Sequence, residues 1–274
     1  MIDFQTLVPV VGLLLVIGAF GGVLAGLLGV GGGIVLVPAF YFAFSYLGFA
    51  SDILMQICVA TSLATIIVTS LRSVASHHKK GAVEWDILKS LAPGIVLGAV
   101  LGMLTASVLR SATLQLIFGG MAVVVGVYMA FGNVNWRLGA QMPKGVWRGV
   151  LSTMIGFLSV LMGIGGGSLG VPIMTLYGVA IHRAVATAAG LGAVIAIPSV
   201  IGFLLVDLPT ETTPPFTIGA VNIPAFLIVI AMTLITAPYG AKLAHKINPK
   251  PLKRLFGVFL ILVALNMLRK AFGA

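Results

Sequence analysis

Gly29-Val30-Gly31-Gly32-Gly33-Ile34-Val35-Leu36-Val37-Pro38 decides how this chain is read, because the pattern occurs twice. Its second occurrence is Gly163-Ile164-Gly165-Gly166-Gly167-Ser168-Leu169-Gly170-Val171-Pro172, with glycines, valine and proline in register. Further blocks follow in the same order. Val59-Ala60-Thr61 matches Val185-Ala186-Thr187, and Gly81-Ala82-Val83 matches Gly219-Ala220-Val221. Leu114, Phe118 and Gly119 match Leu252, Phe256 and Gly257. Matched blocks in one order imply two copies of one unit, here 1–140 and 141–274.

The residues around these blocks need lipid as their solvent. Of the 274 residues, 59% are hydrophobic and only 8% are charged, against about 25% charged in a soluble domain. Apolar segments fall at 6–28, 33–48, 53–75, 87–108, 112–132, 147–164, 168–180, 185–206, 221–244 and 252–270. They are continuous runs, which excludes the alternating pattern of a β-barrel. No stretch is left for a second, water-soluble domain. Segment 168–180 reaches only about 20 Å at about 1.5 Å per residue, against roughly 30 Å of hydrocarbon. Segment 33–48 is marginal. Both read as half-helices that follow a glycine break. The expected fold is an all-α polytopic membrane protein of two inverted repeats, about five segments each, with segments 1–2 and 6–7 either spanning or re-entrant.

Charge supports the inversion. With the N-terminus outside, only Arg110, Arg269 and Lys270 of the 16 Lys and Arg fall on the outer side. The matched loops differ: His77-His78-Lys79-Lys80 is basic, whereas Asp207-Leu208-Pro209-Thr210-Glu211 has no Lys or Arg. An odd number of segments per copy produces this under the positive-inside rule. The net charge of +10 thus reflects loop bias, and no nucleic-acid partner is expected. Met1-Ile2-Asp3-Phe4 lacks the basic flank of a cleaved signal peptide and belongs to the first helix. Cys58, the single cysteine, permits no disulfide or cysteine metal site within the chain and reads as packing. No metal and no cofactor are expected.

A helix broken inside lipid exposes backbone groups that only protein or a water-filled cavity can satisfy. The first amides of the half-helix that follows lack intrahelical partners and carry partial positive charge. Glycine lets an anion come close to them. Gly29, Gly31, Gly32 and Gly33, with Gly163, Gly165, Gly166, Gly167 and Ser168, are therefore the candidate anion-binding residues. Pro38 and Pro172 are expected near the helix starts, where a missing N–H costs little. The competing reading is that these glycines serve close helix packing; duplication before a short segment each time favours the site.

Thr61, Ser62 and Thr187 are candidates as hydroxyl donors to an oxyanion, with Thr65 beside them. Such hydroxyls also bond their own helix backbone. Arg72 reads as snorkelling to the interface, or as drawing anions into a vestibule. His77, His78, His182 and His245 are expected in basic inner loops. Asp3, Asp52, Glu84, Asp86, Asp207 and Glu211 all lie near segment ends, so no carboxylate is expected at mid-membrane. Neither paired carboxylates nor a Ser/His/Asp set suggests hydrolysis, and the chain reads as no enzyme.

Gly26-Leu27-Leu28-Gly29-Val30-Gly31-Gly32-Gly33 with Pro38, and Gly163-Ile164-Gly165-Gly166-Gly167 with Pro172, resemble the sulfite exporter TauE/SafE family of membrane permeases. The resemblance covers nearly the whole chain, including Ala60-Thr61-Ser62 and the Gly-Ala-Val after the basic loop. It implies export, or in some members uptake, of sulfite, sulfonates or related small anions across a bacterial inner membrane, with the basic loops cytoplasmic. The partners expected are thus a small inorganic or organic anion and the lipid bilayer. Alternating access around the glycine site is the expected mechanism, and an anion channel on the same cage is the alternative.

Overall fold

In a computed structural model, residues 4–28, 32–132, 136–244 and 249–273 are described. They form ten helices: α1 (Phe4–Leu28), α2 (Gly33–Tyr46), α3 (Leu54–Lys79), α4 (Trp85–Val108), α5 (Ser111–Phe131), α6 (Gly145–Leu161), α7 (Gly167–Leu176), α8 (Ile181–Leu204), α9 (Ile223–Ala244) and α10 (Pro249–Gly273). A small hairpin, β1 (Thr217–Ile218) antiparallel to β2 (Val221–Asn222), precedes α9. Six helices among the described residues are long and apolar enough to cross a membrane: α1, α3, α4, α5, α8 and α9. The protein is an all-α polytopic membrane protein.

Burial sorts the helices into a centre and a rim. In the apolar spans of α3 and α8, 78% and 72% of residues are buried, against 33% in α1 and 22% in α9. α3 and α8 cross each other at the centre, with α2 on α3 and α7 on α8. Around them α1 packs on α9, α4 on α6 and α5 on α10. Outward faces carry large apolar residues such as Phe20, Leu97, Leu104, Leu227, Ile235 and Leu262, which suits contact with acyl chains. Between rim helices the contact is made by small residues. A Cβ on Gly98 of α4 would lie 2.0 Å from Thr153 O of α6, an approach only glycine permits.

Hydrogen bonds fix which helix ends share a face. The amides of Leu138 and Gly139 donate to Leu176 O, so α7 ends beside the segment that leads into α6. Arg183 at the start of α8 pairs with Glu84, the residue before α4. The end of α3, the starts of α4, α6 and α8 and the end of α7 thus gather on one face, here termed the basic face. At the opposite face, the start of α3 meets the α4–α5 turn. Met55 N donates to Ser111 Oγ at 2.9 Å and Gln56 Nε2 to Leu109 O at 2.8 Å. α6 and α7 therefore leave and return to the same face, and residues 162–166 turn the chain between them.

Three expectations are corrected. His77, His78 and Lys79 form the last turn of α3 rather than a loop, where the helix dipole favours cations. His182 lies in the first turn of α8, while His245 falls outside the described residues. Pro38 and Pro172 are each the sixth residue of their helix. Each lies beyond the first turn and so removes an internal hydrogen bond, rather than sitting where the N–H is an orphan.

Candidate functional site

The two glycine breaks meet. A Cβ built on Gly33, the first residue of α2, would stand 2.6 Å from Gly163 O and 3.0 Å from Ile164 Cα. Ser62 of α3 ties the same carbonyl, donating from Oγ to Gly163 O at 2.8 Å. Gly163 has φ +62 and rests on Val37 of α2 and Val59 of α3. Gly32, at the N-cap of α2, has φ +71. A side chain at either residue would be strained before it met a neighbour. Gly166 caps α7 with φ −60, yet its Cβ would lie 2.6 Å from Leu191 Cβ of α8. Gly32 and Gly166, matched in sequence, are thus required for different reasons, backbone conformation at the first and close approach at the second. Gly29 and Gly31 fall outside the described residues.

α7 has 10 residues, about 15 Å at 1.5 Å per residue, half of a hydrocarbon core of about 30 Å. At its N-terminus Gly165, Gly166, Gly167 and Ser168 are all buried. Gly170 N donates to Gly166 O at 2.8 Å, which begins the helix. The amides of Gly165 to Ser168 have no acceptor among the described residues, and no side chain caps the helix. Ser168 Oγ, in a residue only 3% exposed, is also without a partner. Ser159 Oγ, in a fully buried residue in the last turn of α6, is in the same state. More than nine in ten buried backbone groups are normally paired, so this cluster of unpaired donors is out of the ordinary. Each costs roughly 1–3 kcal/mol if left so.

The hydroxyls of the central helices divide. Thr65 Oγ1 donates to Ser62 O of its own helix at 2.7 Å. Thr61 and Thr187, both fully buried, instead accept bonds from distant parts of the chain. Asn222 N donates to Thr61 Oγ1 at 3.0 Å, and Glu84 N donates to Thr187 Oγ1 at 3.0 Å. Asn222 and Glu84 each follow a matched Gly-Ala-Val and each precede a helix. Each threonine thus holds the start of a distant helix, and its own hydroxyl proton has no acceptor among the described residues. Arg72 is exposed on α3, away from this centre.

Sequence reasoning missed Ser159 and Asn222. Ser159 carries the signal of a hydroxyl one turn before a glycine break in an apolar helix, whereas Asn222 gives none without the fold. Chemically, the centre offers neutral donors and no fixed charge, and no group of His, Cys, Asp and Glu among the described residues is arranged to hold a metal.

Comparison with known proteins agrees with this architecture. A "probable membrane transporter protein" of Haemophilus influenzae is 31% identical over 259 residues, 94% of this chain and 98% of its own length. One of Methanocaldococcus jannaschii is 30% identical over 269 residues, 97% of each chain. A third, of Bacillus subtilis, is 28% identical over 183 residues, 60% of this chain and 67% of its own. No solved structure matches the chain. The family model described as "Sulfite exporter TauE/SafE" matches residues 14–267, which include both glycine breaks and all ten helices at least in part, and the chain belongs to that family.

Proposed function

We propose that this membrane transporter carries a small sulfur-containing anion, such as sulfite or an organosulfonate, by alternating access around the glycine breaks. The observation that carries the reading is the run of buried, unpaired amides at Gly165 to Ser168 with the unpaired Ser168 hydroxyl. Oxygens of a small anion restore the missing bonds, and the N-terminal dipole of α7 favours negative charge. Lacking a lysine or arginine, the centre releases its ligand as readily as a carrier requires. The site residues proposed are, among the described residues, Gly32, Gly33, Gly163, Gly165, Gly166, Gly167 and Ser168, with Thr61, Ser62 and Thr187.

The second copy is proposed to be inverted. Exchanging each helix for the one five places later turns α1–α9 packing into α6–α4 and leaves α3–α8 and α5–α10 unchanged. α4 starts on the basic face, whereas α9 starts beside the far end of α8, where Ala220 N donates to Phe203 O. The boundary falls near residue 140. With the basic face cytoplasmic in an inner membrane, an exported anion gains about 2.3 kcal/mol per charge per 100 mV, so export needs no coupling ion.

A channel on the same cage is the second reading. Burial of Thr61, Ser62, Ser168 and Thr187, none more than 3% exposed, closes the centre from both faces and favours a carrier. Purified protein in liposomes, given a panel of sulfur oxyanions and sulfonates, tests the proposal. Saturable, counterflow-sensitive flux is expected; unitary currents would indicate the channel, and no flux of any of these anions would reject both. Gly165→Ala refines the test, because the nearest atoms to its Cβ are Ile66 Cγ2 at 3.3 Å, Gly192 Cα at 3.8 Å and Ile66 Cδ1 at 3.9 Å. The variant should fold and lose flux.

A further inference from the structure

The basic face carries a second feature, a cleft of about 500 Å³ between the starts of α4, α6 and α8 and the end of α7. Its charged lining is Glu84, Asp86, Lys144, Arg148 and Arg183, an excess of cations. Arg183 and Glu84 form an ion pair, the guanidinium side chain 56% exposed and the carboxylate side chain 31%. Lys144 and Arg148 have no ion-pair partner among the described residues. Glu84 is therefore fastened to α8 at two points, its side chain to Arg183 and its amide to Thr187 Oγ1. This double attachment ties α4 to α8 on the face at which α7 ends.

Across the membrane the equivalent attachment is neutral. Asn222 N bonds Thr61 Oγ1, but the Asn222 carboxamide turns back to its own hairpin, donating to Pro215 O and Thr217 Oγ1 at 3.0 Å each. The two faces are thus fastened by different chemistry. An exposed ion pair is weakly held and easily screened. Guanidinium groups also bind multi-oxygen anions through paired hydrogen bonds as they bind carboxylates.

We infer that the cleft is a binding site for a small oxyanion, held by Lys144 and Arg148, whose occupancy draws Arg183 from Glu84 and loosens the attachment of α4 to α8 at this face. Arrival of the anion is then what opens the basic face, while the opposite face is indifferent to it. The choice of ligand rests on the proposed transport of small anions; the attachment can be measured without transport.

Hydrogen exchange of the segment 80–88 in purified, detergent-solubilised protein tests this, with sulfate as the probe and chloride at matched ionic strength as the control. Sulfate is expected to raise exchange several-fold and to saturate, with chloride giving a small, unsaturating change. Arg148→Gln should abolish the saturable response and keep the slow baseline, while Glu84→Gln should exchange fast with and without sulfate. Equal responses to sulfate and chloride overturn the inference, as does a full sulfate response in Arg148→Gln. A sulfate response that behaves as expected in a protein without flux of any sulfur anion upholds the cleft and removes the transport proposal.

Discussion

Thr61 of α3 accepts a hydrogen bond from the backbone amide of Asn222, 161 residues further along the chain, at 3.0 Å. Thr187 of α8 does the same for Glu84. A residue expected from sequence to donate to a ligand thus holds the start of a distant helix through its oxygen. Its proton has no acceptor among the described residues.

The two threonines should differ when replaced by valine. Asn222 is 3% exposed, so Thr61→Val strands its amide, at a cost of about 1–3 kcal/mol. Glu84 is only part-buried, and water can reach its amide once Thr187 is gone. Thermal unfolding in detergent should therefore show Thr61→Val clearly below wild type and Thr187→Val close to it, while both lose anion affinity. Equal melting temperatures for all three proteins would remove the structural role.

Gly33→Ala should part the two breaks. Its Cβ has no room beside Gly163 O, and overpacking of this kind costs roughly 1–3 kcal/mol. Gly12→Ala is the control, because nothing lies within 4 Å of its Cβ and alanine gains up to about 1 kcal/mol in a helix. The expected order of melting temperature is Gly12→Ala at or above wild type and Gly33→Ala well below. A Gly33→Ala protein as stable as wild type would mean that the breaks do not touch.

Ser111 fastens the start of α3 to the start of α5 at the face opposite the basic one. Its Oγ accepts from Met55 N at 2.9 Å and donates to Ser51 O at 3.0 Å, in a residue 5% exposed. Ser111→Ala leaves the buried Met55 amide without its partner, for about 1–3 kcal/mol, while Ser51 O keeps the Leu54 amide at 3.2 Å. Lower thermal stability with unchanged substrate selectivity is expected, measured by melting and by competition in the flux assay.

Glycine breaks were legible from the sequence because lipid tolerates few ways to interrupt a helix. Gly163 to Gly167 could not continue an apolar span without a reason, and the turn stands at 162–166. Segment limits were close wherever apolar residues stopped, as at Val108 and Leu204. They failed at α3, because a helix continues past the membrane when its last turn carries cations, which hydropathy reads as loop. The partner of Thr61 was beyond reach, since no local pattern encodes a contact between α3 and the residue before α9. Gly94, Gly98 and Gly102, spaced by four on the face of α4 that meets α6, did carry a signal for packing that the larger motifs obscured.

Inversion can be checked at two exposed residues. In a Cys58→Ala background, Lys79→Cys and Glu211→Cys should react with a membrane-impermeant maleimide from opposite sides of the membrane. Lys79 ends α3 on the basic face, and Glu211 lies in the connection from α8 to α9. Labelling of both from one side would sink the inverted arrangement.

The packing of α1 on α9 has a consequence for biosynthesis. Roughly 200 residues separate the two helices, and at about 5–20 residues per second the ribosome needs on the order of 10–40 s to deliver the partner. During that interval the glycine-bearing face of α1, shaped for Val229 and Thr233, rests against lipid or the insertion machinery. α4 waits far less for α6. α1 thus waits long for the helix it packs on most, and a chain arrested before α9 leaves that seam open to the cell's membrane proteases.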